Sequence, residues 1–489
     1  MRRTLASLAL LLACAPQKSA EKPPAVLSAP PAVSSAPDPN DFRSARPQPG
    51  SPGVFSYPTP AELVLPNGLR VLHVERPGRV VSLTLVVRHG ASSVPEGKSG
   101  LAALTARMLS ESTKKRSAMA LAEAVESLGT SLGAGASRDD SRVSMTVLPA
   151  DFGAALKLLA EVVTEPAFSA QDFDRVKNEW LDAVRAERQD PQRLAAVTAF
   201  RALNGPIFGA PVNGTLADLQ RLAVGDLRDF HARAYTPDNS ALIVVGSVDA
   251  AGIKAEVEQK LGAWRGKNRI VQVAAPPRAP AVQRVLYVDR PDAVQTAISA
   301  VQSFPVRSEP GYEARELLVT TLGGLFTSRL NTNLREQHAF TYGAFAHSQA
   351  GRLLGTLLVG TNVRTPVTAD ALVEIRSELA ALGGPKPPTP EELTRSRADL
   401  QFSLGATLEH PSRIASTLGN LVTDGLPLDY YTRFPATIQA VEPAQILGAA
   451  KLLQPNGMLI VLVGDQRQFL PALTKAGFKA EPAPPELSE

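Results

Sequence analysis

Six histidines are the side chains here best suited to hold a metal or move a proton near neutral pH: His73, His89, His231, His338, His347 and His410. A helix-borne zinc site needs two imidazoles one turn apart. No two of these stand at i and i+4, and the closest pair, His338 and His347, are nine residues apart. Each therefore reads as a surface or packed residue. The sequence has no Gly-x-Ser-x-Gly elbow and no Walker-type phosphate loop. Asp139-Asp140 and Glu391-Glu392 read as solvated surface charge or helix N-terminal charge. One cysteine, Cys14, rules out an internal disulfide and any two-thiolate site.

The neighbours of Cys14 give it a different task. Met1-Arg2-Arg3 and an apolar run from Thr4 to Ala13 precede it. Such a run is too short for a membrane span, which takes about 20 residues, and reads as an export signal. Leu11-Leu12-Ala13-Cys14 resembles the bacterial lipobox, which implies cleavage before Cys14 and lipid on its sulfur. Ala15 stands where an Asp would resemble an inner-membrane retention signal, which points to the outer membrane. Of 51 basic and 47 acidic residues, the signal removes two arginines, leaving 51 − 2 = 49 against 47. That balance gives no support for nucleic-acid binding. Residues 15 to 60 hold 12 of the 41 prolines and few large apolar residues, so they read as a disordered tether. About 40 such residues span roughly 35 Å as a coil. The globular part is thereby expected in the periplasm, on a leash.

Folded sequence is expected from Ala61. Glu62–Leu65, Pro66-Asn67-Gly68 and Leu69–Val74 read as strand, tight turn, strand. Strands follow over Val80–Arg88, Ser141–Leu148 and Ala241–Val248. Helices are expected over Gly100–Glu111, Met119–Leu128, Phe152–Val163, Ser169–Arg188 and Val224–Tyr235. The plan then recurs. Phe173-Asp174-Arg175 opens a long helix ending at Asp190-Pro191, and Leu393-Thr394-Arg395 opens one ending at His410-Pro411, both 220 residues on. Pro237 and Gly246 recur as Pro455 and Gly464, both 218 residues on. The expected fold class is α+β: two homologous halves, each an antiparallel sheet with helices packed on one face. The organisation is signal 1–13, tether 14–60, first domain 61–266, Pro-rich linker 267–283, second domain 284–475 and tail 476–489.

From Ala61 to Lys475 this duplicated plan resembles the insulinase/pitrilysin family of zinc peptidases. There the first helix carries an inverted H-x-x-E-H motif in the frame Gly-Leu-Ala-His-x-x-Glu-His-Met-Leu. Here the frame reads Gly100-Leu101-Ala102-Ala103-Leu104-Thr105-Ala106-Arg107-Met108-Leu109. The resemblance implies that Ala103 replaces the first zinc ligand, Ala106 the general base and Arg107 the second ligand. The third ligand, a Glu on the long helix, falls at Ala183. Glu179 and Glu187 lie one turn away, but a lone carboxylate does not hold zinc, and a guanidinium repels a cation.

The second half keeps more of the pattern. Leu322-Gly323-Gly324-Leu325-Phe326-Thr327-Ser328-Arg329-Leu330 resembles the family's Gly-rich Ser-Arg-Leu segment. Arg335 and Tyr342 follow at the spacing of an Arg–Tyr pair that, in the family, contacts substrate at the scissile bond. An alternative is that Arg335 pairs with a neighbouring acid and Tyr342 is a half-buried strand aromatic. The resemblance implies a non-catalytic subunit of a heterodimeric peptidase. It would wall half of a peptide chamber, near the Ser141–Leu148 strand, and lend Arg335 and Tyr342 to a zinc-bearing insulinase-family subunit. No cofactor of its own is expected, and its ligand would be a peptide. The alternatives are a catalytically dead peptide-binding or scaffolding lipoprotein of the cell envelope, and a self-sufficient enzyme with a rearranged metal site.

Overall fold

Alternation along the strands dictates two covered faces. In β3 (Val81–Val87), Leu83 and Leu85 point to one side and Val86 to the other, and the whole strand is buried. A computed structural model describes residues 55–270, 278 and 282–488. The signal, Cys14, most of the tether and part of the linker lie outside the described residues.

The first sheet comprises β1 (Ala61–Val64), β2 (Arg70–Glu75), β3, β4 (Gly133–Ala136), β5 (Ser141–Val147) and β6 (Ser240–Gly246), in the order β1-β2-β6-β3-β5-β4. The second comprises β7 (Arg284–Asp289), β8 (Gln295–Phe304), β9 (Thr341–Ala350), β10 (Gly355–Arg364), β11 (Leu459–Gly464) and β12 (Ala480–Pro482), in the order β12-β7-β11-β8-β10-β9. The series β2-β6-β3-β5-β4 thus recurs as β7-β11-β8-β10-β9. This is the expected α+β duplication. Most pairs are antiparallel, with β2–β6 and β7–β11 parallel in both halves. The Pro66-Asn67-Gly68 turn forms as read. Gly68 adopts φ +94°, a conformation that favours glycine, and Asn67 donates to Leu261 O at 2.8 Å.

Each half's own helices cover one face of its sheet. In the first half Leu104, Leu156 and Phe230 pack on Leu83, Leu85 and Val244. The opposite face is covered by a helix from the other half. The Pro411–Asp424 helix lays Ile414, Leu418 and Leu421 on Val86, Ala241 and Ile243. Reciprocally, the Pro191–Phe208 helix lays Leu194, Ala195 and Ala199 on Ala297, Val301 and Val461 of the second sheet. Both helices start with proline at the first turn, where its missing N–H costs nothing. Approach is close at Gly419, where a Cβ would stand 3.2 Å from Val86 Cγ2. Polar contacts fix the crossing. Arg142 donates to Ser416 O at 3.1 Å and Asn420 Oδ1 at 2.8 Å, and Gln192 donates to Ser299 Oγ at 3.1 Å.

Two expected boundaries shift. The expected tether runs to residue 60, but Tyr57 is 1% exposed, packs against Tyr431 at 5.5 Å, and its carbonyl accepts from Thr432 Oγ1 at 2.8 Å. The packed chain therefore includes Phe55–Pro60, held by one aromatic anchor. Within the tail expected over 476–489, the described residues 476–488 are also packed. Phe478 is buried, β12 pairs with β7, and the Pro485–Ser488 turn of helix lies against the Pro191–Phe208 helix. Among the described residues no helix is long and apolar enough to cross a membrane.

The exchange predicts that neither half unfolds alone. Trp180 and Trp264 both lie in the first half, so their fluorescence reports that half. Leu418→Ala removes a fully buried second-half side chain from the first sheet, at a cost of about 2–5 kcal/mol. The urea midpoint of the tryptophan transition should fall. An unchanged midpoint would show that the halves are energetically separate.

Candidate functional site

The Leu101–Met108 helix opens at Gly100, whose φ of +89° starts the turn. Leu101, Leu104 and Met108 pack into the first core. Ala103 and Ala106 are buried too, so the two positions that would carry a ligand and a base present only methyl groups. Arg107, in the last turn, donates to Ser110 Oγ at 2.8 Å and pairs with Glu111. Glu111 is buried, and its other carboxylate oxygen takes Arg175 of the Ala170–Glu187 helix. Arg175 also holds Glu179 at 2.9 Å. Ala183 lies on the exposed side of that long helix. The four positions therefore offer three methyls and a guanidinium, and the nearest acid is shared by two arginines. Zinc requires nitrogen, sulfur or oxygen donors, and guanidinium is not one, so these residues do not fit it. Among the described residues, no three His, Cys, Asp or Glu side chains gather as a metal-holding group.

The second half is arranged differently. Leu322–Gly324 lies in a wide helical turn against β9, and a Cβ on Gly323 would overlap Ala346 N at 2.2 Å. Glycine is thus a packing requirement there. Arg329 of the Ser-Arg-Leu segment has a structural partner, donating to both oxygens of Glu392 at 2.7 Å. Asn331 accepts from Ala344 N at 2.8 Å, tying this turn to the start of β9. Arg335 and Tyr342 are brought together. Both line a cleft of about 810 Å³, with Gln295, Phe340 and Arg364. Tyr342 is 91% exposed at the open edge of the second sheet, not half-buried. Arg335 stacks on the exposed ring of Phe326 at 4.2 Å and stands 3.5 Å from Glu336. Phe326 was missed in the sequence. Nothing local marks it, since Leu322 and Leu330 stand at i−4 and i+4 and make it read as part of an apolar helix face.

The histidines divide as read. His73 and His89 are buried, and His338, His347 and His410 are exposed. His89 bonds Ser93 Oγ at 2.8 Å and Asn268 Oδ1 at 2.9 Å. His231 bonds Val163 O at 2.8 Å and stacks on Tyr235 at 4.8 Å. Burial pushes both imidazoles down to about 4, from an ordinary 6.5. The unfolded chain then binds more protons below pH 6.5, so stability is full above that pH and falls towards pH 4. The loss should approach about 3 kcal/mol per histidine. Urea midpoints at pH 7 and pH 5 measure it, and NMR titration of His231 near 6.5 would contradict it.

Fold and site together define a duplicated two-sheet chain. Its first helix offers no metal donor at Ala103, Ala106 or Arg107, and its second half presents a cleft lined by Arg335 and Tyr342. Residues 70–210 match the model of the insulinase (peptidase M16) family, and residues 221–400 match that of the peptidase M16 inactive domain. An uncharacterised zinc protease of Mycobacterium leprae is 30% identical over 329 residues, 65% of this chain and 73% of that protein. An uncharacterised zinc protease of Mycobacterium bovis is 30% identical over 293 residues, 59% of this chain and 66% of that relative's length. The chain belongs to the insulinase family. The non-peptidase homologue YmxG of Helicobacter pylori is 24% identical over 394 residues, 78% of this chain and 89% of its own. The crystal structure of a peptidase M16 inactive domain from Pseudomonas fluorescens superposes with a TM-score of 0.77 at 27% identity, over 83% of this chain and 98% of that one.

Proposed function

We propose that this chain is the non-catalytic subunit of a heterodimeric zinc peptidase. It walls half of a peptide chamber, and Arg335 and Tyr342 complete the active site of a zinc-bearing insulinase-family partner. The supporting observation is a contrast within one chain. Methyls and a guanidinium stand at Ala103, Ala106, Ala183 and Arg107, while Tyr342 faces solvent from the same cleft as Arg335. A guanidinium fork and a phenol both donate hydrogen bonds. Directed at a peptide carbonyl, they stabilise the negative charge that its oxygen gains as water adds. The open edges β4 and β9 suit extended peptide, because an edge strand leaves backbone N–H and C=O groups free. In this reading Cys14 carries lipid, the following segment is the leash, and the globular part works in the periplasm at the outer membrane.

A second reading, a peptide-binding or scaffolding lipoprotein without a peptidase partner, draws on the contacts of Arg335 with Phe326 and Glu336. Those contacts give the arginine a job inside the chain.

Purification from the native envelope separates the two. The subunit reading expects an H-x-x-E-H protein at near-equal amount, and its absence sinks that reading. With the partner in hand, Arg335→Ala and Tyr342→Phe should each lower its kcat by about 10²-fold. An unchanged rate leaves the scaffolding role. Metal analysis should find zinc in the partner and less than one equivalent in this chain.

A further inference from the structure

A second cavity, of about 860 Å³, lies between the two halves. Its walls are the β4–β5 corner, the end of the Pro411–Asp424 helix, the end of β9, and Arg307 with Tyr312 and Tyr431. Three arginines and three aspartates line it, and most of them are already engaged. Arg138 donates to Phe208 O at 2.5 Å and Ala210 O at 3.3 Å, and stacks on Phe200. Arg142 and Asp140 pair at 2.6 Å, and Asp140 also accepts from Thr423. Asp139 accepts from Ser92 Oγ at 3.1 Å and Arg352 N at 2.9 Å. Arg307 and Asp424 remain.

Arg307 is 7% exposed. Its guanidinium stands 3.4 Å from the centre of the Tyr312 ring and 4.6 Å from that of Tyr430. Among the described residues no carboxylate lies within 4.0 Å of it. Aromatic faces offset part of the cost of burying a cation, and the Tyr430 hydroxyl takes a hydrogen bond from it, but neither brings a full negative charge. The two acids that feel its charge, Asp424 and Glu316, are pushed up by burial to about 6 and about 7. The cavity therefore holds a buried cation that, among the described residues, has aromatic and phenol partners but no carboxylate within 4.0 Å.

We propose that this inter-half cavity is a carboxylate-binding pocket for peptides, with Arg307 as the anchor. A carboxylate matches the planar fork of Arg307 and brings one negative charge. The aspartates in the lining oppose a doubly charged phosphate. The free edge of β4, Gly133–Ala136, forms one wall and can pair with an extended backbone. The carboxylate comes from a peptide C-terminus or from an Asp or Glu side chain. The pocket rests on the peptide-chamber reading only for the choice of peptide as ligand.

The test uses the isolated full chain and three fluorescent alanine-based probes: a neutral amide, a peptide with a free C-terminal carboxylate, and an amide with a central glutamate. At least one anionic probe should bind about tenfold tighter than the neutral one, and which one identifies the source. Arg307→Gln should abolish that preference, and Asp424→Asn should strengthen it by removing a like charge. Equal binding of all three probes, or a preference that survives in Arg307→Gln, overturns the pocket. If Arg307→Gln does not fold, Asp424→Asn decides, and unchanged binding of the anionic probes overturns it. No partner is present, so this outcome is independent of the rate test on Arg335 and Tyr342.

Discussion

Each half of this protein covers the sheet of the other. β3, β6 and β11 are buried along their whole length, so both faces of each sheet need an apolar cover. The helices of one half supply a single layer. The Pro191–Phe208 and Pro411–Asp424 helices supply the second, across the join. Fully burying a leucine or isoleucine is worth about 1.5–3 kcal/mol, and Ile414, Leu418 and Leu421 are all fully buried in the exchange. Separating the halves would expose them together with the apolar back of each sheet. The two halves therefore behave as one body, and the surfaces around Arg107 and Arg335 are carried on it.

Packing and chemistry are separable in the first helix. Leu101, Leu104 and Met108 face the core and hold the helix in place. The positions at Ala103, Ala106 and Arg107 do not need donors for that, since alanine fits a buried turn and Arg107 finds Glu111. The fold therefore does not depend on which polar groups those positions carry. The second half shows the reverse. Gly323, Arg329 and Asn331 are tied to β9 and Glu392, and they hold the turn that presents Arg335 beside Tyr342.

The elements read from the sequence form to within a few residues, because alternation, helical spacing and caps act locally, but most strands and helices of the second half, and the Pro191–Phe208 helix, were not read. Ser169 accepts from Asp172 N at 3.1 Å, as a cap at that position should, and Gly129 closes its helix with φ +63°. That Ala103, Ala106, Arg107 and Ala183 offer no metal donor was equally legible, since neither a methyl nor a guanidinium binds metal in any fold. Phe326 was not, because its role depends on the ring lying under Arg335.

What the sequence determined by itself was the duplication, the strands and helices with clear local periodicity, and the lack of metal donors at Ala103, Ala106, Arg107 and Ala183. Tertiary structure alone decided which helix covers which sheet. It also decided that Tyr57 and Phe478 belong to the core, and that Arg307 sits buried between halves with no carboxylate within 4.0 Å among the described residues. The physical reason is one of range. Periodicity marks a face as apolar from neighbours a few residues away. The partner that covers the face, or the charge that fails to meet an arginine, comes from segments tens to hundreds of residues distant.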